Sequence, residues 1–416
     1  MKKIAVYADW AGLPSAMYMG LLKAEQIRGK EILAFEYDTQ WLKSGYAQQL
    51  DPDLGLFEGP QYLNNDKANF GLFSDSSPDR WGRMLMKRRE AIKSREEKVE
   101  AKTLFESDFL LGVDDETRMG GMRFKLTEGG PFLSNEPSFK APPFTSIREL
   151  EQASWRLEED DFDNDQSKWL NMLIAPGSSL GGARPKANVI APDEHLWIAK
   201  FPSRNDEVNS GAWEYMLSKM ANKLGIRTPE VLCNQYTQKH YTFLSRRFDR
   251  DENNKRIHFA SAMTLLGYRD GHDFLEGGSY IELVEFIESR GADPQNDIQE
   301  LWKRIVFSVL VSNTDDHLRN HGFLLKPQGW KLSPAYDINP NPYGQGLSLN
   351  ISENDNSLST ALCLEVAPIF RWNASEASSF IQYAIDIIGP WEQMASQLKI
   401  SQSERAEMRP AFRLPN

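Results

Sequence analysis

The stretch Ser312-Asn313-Thr314-Asp315-Asp316-His317-Leu318-Arg319-Asn320 decides how this chain reads, together with Asp337 in Pro334-Ala335-Tyr336-Asp337, seventeen residues after Asn320. It places an aspartate, an asparagine five positions later, and another aspartate on a separate segment. An ATP-dependent phosphotransferase needs that order. One carboxylate receives the proton of the accepting hydroxyl, and an amide and a further carboxylate hold magnesium on the phosphates. On this spacing Asp315 is the base and Asn320 a magnesium ligand. Asp337, after the strand-like Trp330-Lys331-Leu332, is a further oxygen donor for the metal. Asp316 is one residue off the spacing and has no assigned task. Seen alone, Asp315-Asp316 reads equally as an acidic loop or a helix N-cap. His317 and His321 are four apart, which on a helix would place both on one face beside the carboxylates, so a metal hydrolase stays open as an alternative. That reading leaves Lys200 and Asp337 unexplained, and His317 reads better as an orienting or packing residue beside the loop.

Upstream, Lys200 ends the apolar run Leu196-Trp197-Ile198-Ala199, where an ammonium can clamp the α- and β-phosphates of ATP. Glu214, on the following helix, is a candidate partner for it. Ser178-Ser179-Leu180-Gly181-Gly182-Ala183-Arg184-Pro185-Lys186 is a small-residue loop before a strand, whose amides could cradle phosphate while Lys186 adds charge. It is neither a Walker A motif nor a Gly-x-Gly-x-x-Gly loop. A solvated strand lysine and an ordinary turn are the plainer readings of Lys200 and of this loop. Taken in order with the Asp-x-x-x-x-Asn and Asp337, however, they compose one phosphotransferase site.

The chain as a whole sets limits on this reading. Its 416 residues suggest two or three domains, or two lobes around a cleft. The 40% hydrophobic content supplies a core, and the net charge of −11 disfavours an autonomous nucleic-acid binder. Two cysteines, Cys233 and Cys363, lie far apart, against a disulfide framework or a structural zinc site. The apolar run Ile4 to Ala8 is too short for a signal sequence. No run reaches the roughly 18 apolar residues of a membrane span, so a soluble, cytoplasmic protein is expected. Residues 1–60 read as a β-rich N-terminal subdomain, with strands at Lys3–Tyr7 and Ile32–Tyr37. Residues 61–245 form the remainder of an N-terminal lobe, with a charged helix over 79–103, a Pro/Ser/Gly-rich stretch near 129–147 and an acidic run at 158–163. Residues 246–416 form a helical C-terminal lobe. Helical periodicity appears at Asn209–Leu224, Glu282–Ser289 and Ile298–Val311. The fold class is α+β, with a small β-rich lobe and a larger helical lobe.

These segments resemble the HipA family, the serine/threonine-kinase toxins of bacterial type II toxin–antitoxin modules. Ser179–Lys186 is similar to the family's phosphate loop, and Ile198-Ala199-Lys200-Phe201-Pro202 to its ATP-lysine strand. Arg246-Arg247-Phe248-Asp249-Arg250 resembles its hinge, Asn313–Asn320 its catalytic loop and Pro334–Asp337 its second magnesium site. Asp75–Arg83 and Asp115–Phe124 resemble further recurring segments. The resemblance implies a kinase-like, two-lobed fold. It implies ATP contacts from Ser179, Leu180, Gly181, Gly182, Ala183, Arg184, Lys186, Lys200, Arg247, Phe248 and His317, with Asn320 and Asp337 on Mg2+. It also implies autophosphorylation at Ser179, which would set negative charge where the ATP phosphates sit. The implied partners are a HipB-like helix-turn-helix antitoxin, operator DNA mainly through that antitoxin, and a protein substrate; the family's substrates include a glutamyl-tRNA synthetase. The chain departs from better-known members at Arg184-Pro185-Lys186, where they often carry Gln-Glu-Lys; proline removes an amide donor and stiffens the loop. A nucleotide-binding, non-catalytic component of a repressor complex and a small-molecule kinase remain alternative readings.

Overall fold

The computed structural model describes residues 1–63, 67–127, 129–133, 141–158, 170, 173, 184–237 and 240–414. The loop residues Ser178–Ala183, residues 159–163 of the acidic run and residues 134–140 of the Pro/Ser/Gly-rich stretch lie outside them. The chain forms two compact units, neither of them continuous in sequence. Unit 1 is Met1–Arg204, Arg246–Ala260 and Gly267–Arg269; unit 2 is Asn205–Ser245, Ser261–Leu266 and Asp270–Asn416.

Unit 1 is built on an antiparallel sheet of β1 (Lys2–Ala8), β2 (Met17–Ile27), β3 (Lys30–Tyr37), β4 (Gln61–Tyr62) and β5 (Met122–Lys125), in the order β4-β3-β2-β1-β5. The period-2 pattern of β1 explains its place: Ile4, Val6 and Ala8 are buried and alternate with more exposed residues. The sheet expected within residues 1–60 is thus completed from outside that range. β5 pairs with β1 through Val6↔Phe124, and Phe124 extends an edge-on ring cluster of Phe35, Phe70 and Phe73 at centroid spacings of 5.5–6.1 Å. Unit 1 also carries helices α1 (Thr39–Lys43), α2 (Gly71–Ser74), α3 (Arg80–Glu97), α4 (Glu106–Leu111) and α5 (Ile147–Leu157). Asp79 caps α3 by accepting the Gly82 N–H at 2.8 Å. A hairpin of β6 (Lys186–Ile190) and β7 (Leu196–Lys200) follows, in the register Lys186↔Lys200.

Two buried charges of unit 1 are closely matched. Arg118 is 1% exposed and donates to the carbonyls of Ser76, Leu110 and Val113 at 2.8–2.9 Å; burial pulls its pKa down to about 10. Asp249, 0% exposed, accepts from Arg247 Nε at 2.8 Å, Arg247 Nη2 and Arg250 Nη1 at 2.6 Å, and the Gly120 N–H at 2.8 Å. Gly120 has φ +70, and a Cβ there would meet the Phe259 N at 2.9 Å, so this position requires glycine.

Unit 2 is mainly helical. It contains α6 (Ser210–Lys223), α7 (Ala262–Leu265), α8 (Tyr280–Arg290), α9 (Pro294–Val311), α10 (Thr360–Val366), α11 (Ala374–Ile388), α12 (Trp391–Gln397) and α13 (Gln402–Met408). Two hairpins join them: β8 (Val231–Asn234) with β9 (Thr242–Arg246, whose last residue belongs to unit 1), and β11 (Gly322–Lys326) with β12 (Gly329–Leu332). The short strand β10 (Phe259–Ser261) straddles the unit boundary. α8 opens with a reciprocal Ser279/Glu282 cap, and α9 starts on Pro294, a residue suited to the first helical turn. α9 is the spine of the unit: Trp302, Ile305, Val306, Phe307, Val309 and Leu310 are all buried. Trp302 meets Trp372 and Phe380 at 4.9 and 5.7 Å. No helix among the described residues is long and apolar enough to cross a membrane.

Candidate active site

The spine helix α9 ends on Ser312 in the left-handed conformation (φ 49), which turns the chain into the loop 313–321. The Asn313 N–H returns to the Ser308 carbonyl at 2.9 Å, and Arg413 Nε donates to Ser312 Oγ at 3.0 Å. From here the two adjacent aspartates part. The Asp315 side chain is 84% exposed, while that of Asp316 is 8% exposed. Asn320 Nδ2 donates to the Asp315 carbonyl at 2.8 Å, which closes the loop across the five-residue spacing. Its Oδ1 is buried without a hydrogen-bond partner. A buried amide oxygen in that state is the donor a hard divalent cation takes, so the residues present fit magnesium. His317 Nε2 stands 3.9 Å from Asp315 Oδ1, with its ring partly exposed.

Asp337 lies beyond the β11–β12 hairpin and also adopts the left-handed conformation, φ 58. For a residue other than glycine this is an uncommon and strained backbone, of the kind concentrated at functional sites. Hydrogen bonds on both sides of it fasten its segment to the loop. Tyr336 Oη donates to the Arg319 carbonyl at 2.6 Å, the Asn339 N–H to Asn313 Oδ1 at 3.1 Å, and Asn341 Nδ2 to Thr314 Oγ1 at 2.8 Å. Gly344 packs against Thr314 so closely that a Cβ would lie 2.4 Å from its methyl group. Asp315, Asn320 and Asp337 are thereby held on one hydrogen-bonded framework inside unit 2.

Sequence reasoning missed what lies beneath. Asp316 Oδ2 accepts from Tyr280 Oη at 2.7 Å and from Ser308 Oγ at 3.4 Å, and its Oδ1 lies 3.1 Å from His321 Nε2. The Tyr280 and His321 rings meet edge-on at 5.5 Å. Burial pushes the Asp316 carboxyl up, but His321, Tyr280 and His317 outweigh it and hold it below the usual carboxylate range. Burial and Asp316 push the Tyr280 hydroxyl well above its usual range, so it stays protonated and donates. Tyr280 is 36 residues from Asp316, and no local pattern could have announced it. The helix face that would have paired His317 with His321 is absent, because residues 313–321 form no helix. His321 is turned inward onto Asp316 and His317 toward Asp315. Among the described residues no group of three or more His, Cys, Asp or Glu could hold a metal ion.

The remaining expected residues that the structure describes lie in unit 1. Lys200 is half-buried at the end of β7. Lys186, 2% exposed, forms an ion pair with the buried Asp79 at 2.8 Å, and Arg184 Nε donates to the Phe201 carbonyl at 3.1 Å. The Arg247 guanidinium is committed to Asp249, Asn188 and the Thr117 carbonyl, and its N–H donates to the Leu196 carbonyl. A buried arginine demands that much compensation. Phe248 is half-buried, its ring 6.1 Å from that of Phe259. Ser179, Leu180, Gly181, Gly182 and Ala183 are outside the described residues.

Comparison with known proteins places this geometry. A curated Haemophilus influenzae protein named "Putative kinase" is 29% identical over 186 residues, covering 40% of this chain and 54% of that protein. A Sinorhizobium fredii protein with the same style of name is 28% identical over 211 residues, covering 47% of this chain and 46% of that one. The chain thus spans about half the length of the curated relatives it matches. Shewanella oneidensis HipA, solved with HipB and its operator DNA, superposes with a TM-score of 0.63 at 17% identity, over 98% of this chain and 95% of that one, which shows a shared fold. Residues 178–407, from the small-residue loop through the catalytic-type loop and Asp337, match the model of the HipA-like C-terminal domain, and the chain belongs to that family.

Proposed function

We propose that this protein is an ATP- and magnesium-dependent serine/threonine protein kinase of the HipA type, a toxin neutralised by a HipB-like antitoxin. The observation that carries the reading is the framework of Asp315, Asn320 and Asp337. It holds an exposed carboxylate two residues from a histidine, and next to an amide whose buried oxygen has no hydrogen-bond partner. Asp315 is the group that accepts the proton of a serine or threonine hydroxyl. The hydroxyl oxygen then bonds to the γ-phosphorus of ATP as the bond to the bridging oxygen breaks, and ADP leaves. Asn320 and Asp337 would hold Mg2+, which neutralises charge on the phosphates. Lys200 is the phosphate clamp, Phe248 a nucleotide contact, and Ser179 the autophosphorylated residue of the phosphate loop. Support for the partners comes from the Shewanella oneidensis relative, solved with HipB and operator DNA. A chain of net charge −11 would reach operator DNA mainly through such a partner. Cys233 and Cys363 are free thiols, each pushed up to about 12 by burial, in keeping with a reducing cytoplasmic setting. The substrate is a protein, with translation proteins such as an aminoacyl-tRNA synthetase as the first candidates.

The test is incubation of the purified protein with magnesium and γ-labelled ATP, alone and with lysate, followed by intact-mass analysis. Phosphate on Ser179 and on a lysate protein supports the kinase. Nucleotide binding without any transfer would leave a non-catalytic component of a repressor complex, and label only on a small molecule would make it a small-molecule kinase.

A further inference from the structure

We propose that Asp316 is a positioning residue, anchoring the loop so that its neighbours Asp315 and Asn320 face the reacting groups; its kinetic consequences rest on the phosphotransferase reading. The geometry assigns this role through three elements of unit 2. Tyr280 comes from the first turn of α8, Ser308 from the last turn of α9, and His321 from the residue before β11; all three converge on one carboxylate. Asn313 Nδ2 donates to the same Ser308 hydroxyl at 3.3 Å, so the start of the loop shares the anchor. Each partner is fixed in turn. The Tyr280 N–H donates to the Asn350 carbonyl at 3.0 Å, and the His321 carbonyl accepts from the Ala262 N–H at 2.7 Å. Tyr280 and Asp316 are both buried, at 0% and 6% exposed.

The consequence is mechanical. Consecutive side chains on an extended or turning backbone leave in different directions. Drawing the Asp316 carboxylate into the core therefore turns the Asp315 carboxylate out, as its 84% exposure shows. The Asp315 carbonyl, whose direction the same peptide link fixes, then receives Asn320 Nδ2 at 2.8 Å and leaves Asn320 Oδ1 available. One buried carboxylate thus sets the direction of both functional groups. A misplacement of about 1 Å in such groups can lower turnover about 100-fold.

Two variants test the anchor: Asp316→Asn, which keeps volume and part of the hydrogen bonding, and Tyr280→Phe, which removes one hydroxyl. Amide hydrogen exchange across residues 312–320 should accelerate about tenfold in each, relative to exchange in α9 of the same protein. Turnover per folded molecule should fall about 10- to 100-fold, while the KM for ATP moves less than about threefold. Asp316→Ala should fall further than Asp316→Asn, and the Asn/Phe double variant should lose less than the product of the single losses. Unchanged loop exchange, or a lowered melting temperature with turnover per folded molecule unchanged, overturns the anchor. A wild type that transfers no phosphate sinks the kinase reading instead, while the exchange measurement still decides the anchor.

Discussion

Asp315 and Asp316 carry the same side chain and opposite duties, and the difference is where each carboxylate points. The exposed one is the proposed proton acceptor; the buried one is engaged by Tyr280, Ser308 and His321. Replacing Asp315 by alanine should cut phosphate transfer by about 10² to 10⁴ while ATP binding survives, which a filter-binding assay run beside the labelling assay will show. Asp337 permits a cleaner probe than most metal-type carboxylates. Its backbone is already in the left-handed region, φ 58, which glycine adopts without strain. Asp337→Gly should therefore fold with an unaltered circular dichroism spectrum and lose transfer. A loss of folded protein in that variant would count against a purely chemical role for Asp337.

At the scale of elements, the segment Arg247-Phe248-Asp249-Arg250 is a structural knot. Asp249→Ala strands two buried guanidinium groups and should cost about 3–5 kcal/mol in denaturant unfolding. Burial pushes the Asp249 carboxyl up, but Arg247 and Arg250 outweigh it and hold it well below the usual range. Its contribution is therefore present above the unfolded pKa of about 3.9 and is lost as pH falls through the folded value. The stability gap between wild type and Asp249→Asn should accordingly narrow in acid below about pH 4. These elements also show what the sequence could reveal. The amphipathic helices at 209–224 and 298–311 were legible from apolar spacing, and they appear as Ser210–Lys223 and Pro294–Val311. The apolar run ending in Lys200, which forms β7, was legible too, as was the Asp-x-x-x-x-Asn spacing. The fifth strand of the first sheet, Met122–Lys125, was not, because a short strand is recruited by a distant edge and not by its own pattern. Nor was the burial of Arg247 or the Tyr280–Asp316 contact, since both depend on partners dozens of residues away.

For the molecule as a whole, stability should have opposing acid limbs. Burial pushes the carboxyls of Asp51 and Asp114 each up to about 6. A raised folded pKa contributes stability below the unfolded value, and that contribution is lost as pH rises through the folded one. Asp51→Asn and Asp114→Asn should therefore gain on wild type between about pH 4 and pH 6 and level off above, read from denaturant midpoints. The chain crosses between its two units at 204/205, 245/246, 260/261, 266/267 and 269/270. A fragment ending at Arg204 lacks Asp249 and its arginines, so it should fail to give a cooperative unfolding transition, whereas a spontaneously folded fragment would contradict the knot's importance. The same threading bears on descent. A single recombination point anywhere in the gene divides at least one unit, so neither can be traded to another protein as a cassette. This architecture should therefore diversify by substitution rather than by shuffling.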